Sequence, residues 1–237
     1  MSSEVRNPTY YEGDLRRDLL DAALALIAAG GPSGLSLRAV ARKVGVSHAA
    51  PKNHFADKAA MFTALAAEGF NGLGDALHAA MTSTDDPVAA FRAAGVAYIH
   101  FAVSHPAHFR VMWRNDLHTD DAVLEAAGQQ AFDALTAGAE RAKATGWADG
   151  VSARDLAVVA WSSVHGLAQL AIDGPLPEMD GRDVDTLADV NASVLIDAFD
   201  HRTERPDTRA TARPDTRADE RRGDLSGGAA VAGQVGG

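Results

Sequence analysis

Between Ser47 and Lys58 stand Ser47, His48, Lys52, Asn53, His54 and Lys58, the side-chain types that hydrogen-bond to nucleic acid. His48 and Asn53 can donate to or accept from base edges in a major groove, and the Ala49 methyl suits a thymine methyl. Ser36, Lys52, His54 and Lys58 offer short polar or cationic reach toward phosphate oxygens. Charge points the same way. From Gly34 to Lys58 five Lys or Arg face one Asp, in a chain of net charge -10. Residues 59–200 hold 7 Lys/Arg against 20 Asp/Glu, so DNA would repel the body and help orient the basic end. For Arg42 and Lys43 a solvated face is the simpler reading, and Ser36 and Ser47 serve equally well as helix caps.

A second group lies in the body. Phe91, Tyr98, Phe109, Met112, Trp113, Phe132, Trp161 and His165 are candidates to line a pocket between helices, although core packing explains each of them singly. Trp161 and His165 are one helical turn apart, so a ring and a polar tip can meet one ligand. His100, His105, His108 and His118 crowd one region, but they straddle Pro106 and lack any metal-binding spacing, and no metal is expected. No Gly-rich phosphate loop or Gly-x-Ser-x-Gly elbow is present, which leaves catalysis without residues and gives no reason to expect a cofactor. With no Cys, thiolate metal sites and disulfides are excluded, as suits a reducing cytoplasm.

These side chains need helices to place them. Ser36 precedes the apolar run Leu37, Val40, Ala41 and Val44, which predicts an N-capped helix over 37–44. Gly45 supplies a positive-φ turn, Val46 a wedge, and Ser47 the expected cap of a second helix reaching about Phe55, with Pro51 tolerated in its first turn. Its opening residues, Ser47, His48 and Ala49, would then enter the groove. Helical periodicity continues over about 14–29, 58–81, 87–104, 107–114, 120–145, 152–172 and 182–200, with no strand pattern. Asp57 and Asp86-Pro87 are the expected starts of two of these helices. The apolar run Ala22 to Ala29 is too short for a membrane span, and Asp18 and Asp21 ahead of it do not suit a signal peptide.

The segment Ser36-Leu37-Arg38, Val40-Ala41, Gly45-Val46-Ser47, His54-Phe55 and Lys58 resembles the DNA-binding signature of TetR/AcrR-type transcriptional regulators. Residues 13–31 are similar to that family's first helix. HPAHFRVMW from His105 and WSSVHGLAQLAIDG from Trp161 resemble the ligand-binding half of the subgroup named for its Trp-His-Gly motif. The resemblance implies an all-α protein of about nine helices: an arm over 1–13, a three-helix helix-turn-helix domain over 14–57, and a ligand-binding and dimerisation domain over 58–200. It adds Arg38 to the DNA-facing residues. It also implies a homodimer through the helices near 152–172 and 182–200 on a pseudo-palindromic double-stranded DNA operator, with a small-molecule effector and no membrane. The family places Leu-Tyr where this chain has Pro51-Lys52, so a phosphate-contacting tyrosine becomes a point charge.

The leading expectation is a ligand-released repressor in the cytoplasm. A sensor of the same fold with weakened DNA contact is the second, and a helical enzyme using the body cavity a distant third. After Asp200, RPDTRA repeats at Arg205 and Arg213 and the composition turns to Gly and Ala, the pattern of a disordered low-complexity tail over 201–237.

Overall fold

The computed structural model describes residues 12–118, 120–176 and 181–200. The expected arm and tail lie outside them, apart from the start of the first helix. Among the described residues there are eight α-helices, two short 3-10 helices and no strand. We number the α-helices α1 (Glu12–Gly30), α2 (Leu37–Val44), α3 (Lys58–Met81), α4 (Pro87–Ser104), α5 (Pro106–Met112), α6 (Ala122–Lys143), α7 (Ala153–Asp173) and α8 (Val184–Asp200).

Local chemistry fixes most of the starts. Ser36 Oγ accepts the Ala39 N–H at 3.2 Å and Asp57 Oδ1 the Ala60 N–H at 2.8 Å. Asp86, Asp121 and Ser152 cap α4, α6 and α7 in the same way, each satisfying amides that the first helical turn leaves open. Gly45 ends α2 at φ 82°, a conformation that a side chain would strain.

The segment after Gly45 departs from expectation. In place of an α-helix from Ser47 to Phe55 there is a turn followed by a 3-10 helix, Ala50–Asn53. Pro51 has no N–H to give the Ser47 carbonyl, which instead takes the Ala50 N–H at 3.0 Å, a 3-10 bond. Proline also disfavours α geometry at Ala50 before it. Ser47 therefore acts through its carbonyl, and the 3-10 helix has no side-chain cap. The Pro51 ring is fully buried.

Two apolar cores result. Leu19, Leu20, Ala23, Ile27, Val40, Met61, Phe62, Leu65 and Ala66 are wholly shielded in the first, which also takes in Ala107 and Val111 from α5 and Leu124 from α6. The second is built on α3, α4, α5, α6, α7 and α8 around Leu73, Phe91, Ile99, Phe109, Leu156 and Ala188. Helix α3 passes from one core to the other. By length and apolar composition α4 and α7 would also suit a membrane, but here both pack against other helices of this bundle.

Candidate functional site

On the helix-turn-helix, the turn held up by buried Pro51 presents Ser47, His48, Ala49, Lys52 and Asn53 as exposed residues. Ser36 and Arg38 at the start of α2 are exposed, while His54 and Lys58 are half-buried. Lys58 holds its ammonium 5.4 Å from the Phe62 ring centroid, and Ser36 is engaged as a cap. Of the expected DNA-facing residues, Lys52 and Asn53 thus reach solvent on the 3-10 helix, Ser47, His48 and Ala49 on the turn before it, and Ser36 and Arg38 at the start of α2.

The second site is a cavity of about 310 Å³ inside the body. Its wall takes Phe70, Leu73 and Leu77 from α3, Phe91, Arg92, Ala94, Gly95 and Tyr98 from α4, and Trp113 from the end of α5. Helix α6 adds Gly128, Ala131, Phe132 and Leu135, α7 adds Ala160, Trp161 and Val164, and α8 adds Ala192, Leu195 and Ile196. Of the eight residues expected from the sequence, Phe91, Tyr98, Trp113, Phe132 and Trp161 line it. Phe109, Met112 and His165 stand behind the wall.

His165 acts through Tyr98. The Trp161 indole N–H donates to the Tyr98 hydroxyl at 3.2 Å, and that hydroxyl lies 2.9 Å from His165 Nδ1. The Tyr98 oxygen accepts from Trp161, and its contact with Nδ1 runs in the direction set by which nitrogen of the neutral His165 ring carries the proton. Burial pushes the Tyr98 hydroxyl up and His165 below the usual histidine value, so the chain of polar atoms carries no charge at neutral pH.

Trp113 joins the two sites. Its ring meets Phe70 edge-on at 5.1 Å and lies 5.4 Å from Trp161. The next residue, Arg114, is 4.8 Å from the Phe62 ring and pairs with Asp116 at 2.6 Å. Beyond it the His118 N–H donates to Thr63 Oγ1 at 2.9 Å, and its ring lies 3.3 Å from Asp57, the cap of α3. The Ala60 N–H, then His118, hold the Asp57 carboxyl below its usual range. On the other side Glu68 lies between His108 at 3.8 Å and Arg17 of α1 at 3.5 Å. Gly69 makes room for Met112: an added Cβ would come within 2.7 Å of its sulfur.

Two family models match the chain. Residues 19–65 match the model for bacterial regulatory proteins of the tetR family, and 91–195 that for the tetracyclin repressor-like C-terminal domain. The chain belongs to the TetR family. A protein of unknown function from Rhodococcus sp. RHA1 has a similar structure at 34% identity and a TM-score of 0.71, covering 82% of this chain and 100% of that one. The TetR-family transcriptional regulator PfmR from Thermus thermophilus shares the fold at 20% identity and a TM-score of 0.63, over 76% of this chain and 97% of its own. The fatty acid degradation regulator FadR from Bacillus halodurans does so at 14% and 0.63, over 79% and 97%. No curated protein matches the sequence.

This TetR-family chain is thus a transcriptional regulator with a helix-turn-helix, and not an enzyme. Sequence reasoning missed the part α8 plays in the cavity, since Ala192, Leu195 and Ile196 share a helix with the apolar stripe assigned to dimerisation. The small residues Gly95, Gly128 and Ala131 were also missed. A small residue on an otherwise apolar helix face, opposite a large ring, is the signal that marks such a void.

Proposed function

We propose that the protein is a ligand-responsive repressor that binds a pseudo-palindromic operator as a homodimer and leaves it when a small molecule fills the cavity. The observation carrying this reading is that Trp113, a wall of the cavity, begins the segment bonded through His118 to Asp57 and Thr63 at the base of the DNA-reading turn. A ligand that favours another setting of Trp113 thereby favours another setting of the turn, and operator affinity falls by the ratio of its affinities for the two states. His48, Asn53 and Ala49 read base edges, Ser47 opens the turn that enters the groove, Ser36, Lys52, His54 and Lys58 hold phosphates, and Arg38 faces the DNA beside them.

Dimerisation through α7 and α8 is supported by Val158, Val159, Leu170, Val190 and Val194, all large apolar side chains more than 40% exposed on these two helices. Two copies so paired would set their turns into major grooves about 34 Å apart. Reading the chromosome places the protein in the cytoplasm.

A second reading, a sensor whose DNA contact is weakened, draws on the 3-10 geometry at Pro51-Lys52. A salt titration against duplexes from the gene's own upstream region separates the two. A repressor retains one duplex specifically over a steeply salt-dependent background. Retention of no duplex at moderate salt would leave the sensor reading standing alone.

A further inference from the structure

Resting on the effector reading above, we infer that the ligand of the cavity is an amphipathic carboxylic acid. Its hydrocarbon body lies among the aromatic side chains and its carboxylate meets Arg92.

The body follows from the wall. Phe70, Phe91, Tyr98, Trp113, Phe132 and Trp161 bring ring surfaces to a space of about 310 Å³, and aliphatic side chains form most of the remainder. Such a surface takes up hydrocarbon by removing it from water, but it gives a ligand no direction. Orientation has to come from polar groups.

Most of those in the wall are committed. Trp161 donates to Tyr98 at 3.2 Å, the Tyr98 hydroxyl lies 2.9 Å from His165 Nδ1, and Trp113 Nε1 is itself buried. Arg92 differs. Among the described residues of the wall it is the one that carries a charge, and its guanidinium is only partly engaged. Nε donates to Ser193 Oγ at 3.1 Å and Nη2 to Asp189 Oδ1 at 2.9 Å, which leaves Nη1 without a partner among the described residues. A guanidinium with an uncommitted edge favours a carboxylate over a neutral acceptor, because the bond is then charge-assisted.

Its position removes the usual objection to an anion in an apolar site. The Arg92 side chain is 38% exposed beside a Phe91 that is 4% exposed, so the guanidinium stands at the rim, where cavity meets water. A carboxylate held there keeps part of its hydration. The way inward is open, since Arg92, Gly95 and Tyr98 follow one another at intervals of three along α4, all three belong to the wall, and Gly95 sets no side chain between the other two. The Asp189 carboxyl, 60% exposed, is a weakly held partner that a ligand can displace.

The experiment uses the full chain and two matched pairs, decanoate with 1-decanol and 4-phenylbutyrate with 4-phenyl-1-butanol, with binding followed by calorimetry. Within each pair only the head changes, and the two bodies sample a chain and a ring. In at least one pair the acid should bind more tightly than the alcohol by about tenfold, the scale of one charge-assisted hydrogen bond. Arg92→Gln should bring that ratio to one or below. Asp189→Asn, which removes the competing carboxylate and keeps the guanidinium, should raise acid affinity by about two- to fivefold and leave the alcohols unchanged. Alcohols that match or exceed the acids in both pairs, or no binding of any of the four up to their solubility, overturn the inference without reference to any variant. A preference for acid that survives Arg92→Gln overturns it as well. Release of upstream DNA is measured on the same samples. Acid bound without release leaves the ligand class standing and removes the effector role. Release by the alcohols at lower concentration than by the acids leaves the effector role standing and removes the ligand class.

Discussion

The helix-turn-helix end and the cavity end of this molecule are built on opposite plans. Around Phe62 the side chains are closed off from solvent: Leu19, Leu20, Ile27, Met61 and Leu65 are shielded completely, and short-range caps at Ser36 and Asp57 set where each helix begins. Around Tyr98 the helices carry equally apolar faces, yet small residues at Gly95, Gly128 and Ala131 leave a void that rings border without filling. The difference teaches that an apolar stripe predicts that a helix is covered, not that the space beside it is occupied.

The widest break between the two plans is expected in stability. Phe62→Ala should cost about 3–5 kcal/mol in urea unfolding, since it opens a hole in a core closed off from solvent, whereas Phe132→Ala at the cavity wall should cost less than half of that. Equal losses would show that the cavity collapses around its rings in solution. Next in size is DNA reading. His48→Ala should lower the preference for cognate over random duplex by about 1 kcal/mol, while Lys58→Ala should weaken both alike and reduce the salt slope by about one. Competition binding at several salt concentrations checks this, and matching profiles for the two variants would end the division between base and phosphate contacts.

A subtler test lies in the caps. Ser36→Ala should lower the stability of the DNA-reading end by about 1 kcal/mol, seen as faster amide exchange in α2 with little change in α7. Uniform faster exchange would mean that the two cores unfold as one. The smallest effect concerns pH. Burial lowers the folded-state value of His165, so the unfolded chain takes up the proton first as pH falls below about 6.5. That part of stability is fully present above 6.5 and is lost as pH descends toward the folded value. His165→Asn should flatten the fall in thermal stability below about pH 6.5. An unchanged profile would show that the ring is better solvated than its packing suggests.

Most of the fold was legible because its determinants are local. A serine or aspartate before an apolar run, a glycine after one, and proline in a first turn each act within four residues, and the helices at Ser36, Asp57 and Asp86 begin where those signals stand. The departure at Ser47 is also local. A first turn can spare the one bond that Pro51 removes, but the missing N–H and the effect on Ala50 together turn an α-helix into a 3-10 turn. The cavity was legible by halves. Aromatic type picks out Tyr98, Trp113 and Trp161, but whether a ring faces a void or backs it depends on partners 63 to 67 residues away, as with Tyr98 between Trp161 and His165. Sequence spacing along one helix carries no record of that.

Helix α8 has two working sides. Ala192, Leu195 and Ile196 close the cavity, while Val190 and Val194 stand 42% and 63% exposed on the outer face of the same rod. If a second copy covers that outer face, the two events share one thin partition. Filling the cavity and pairing the subunits then become linked equilibria, each shifting the other by the same factor, and the apparent ligand affinity would depend on protein concentration.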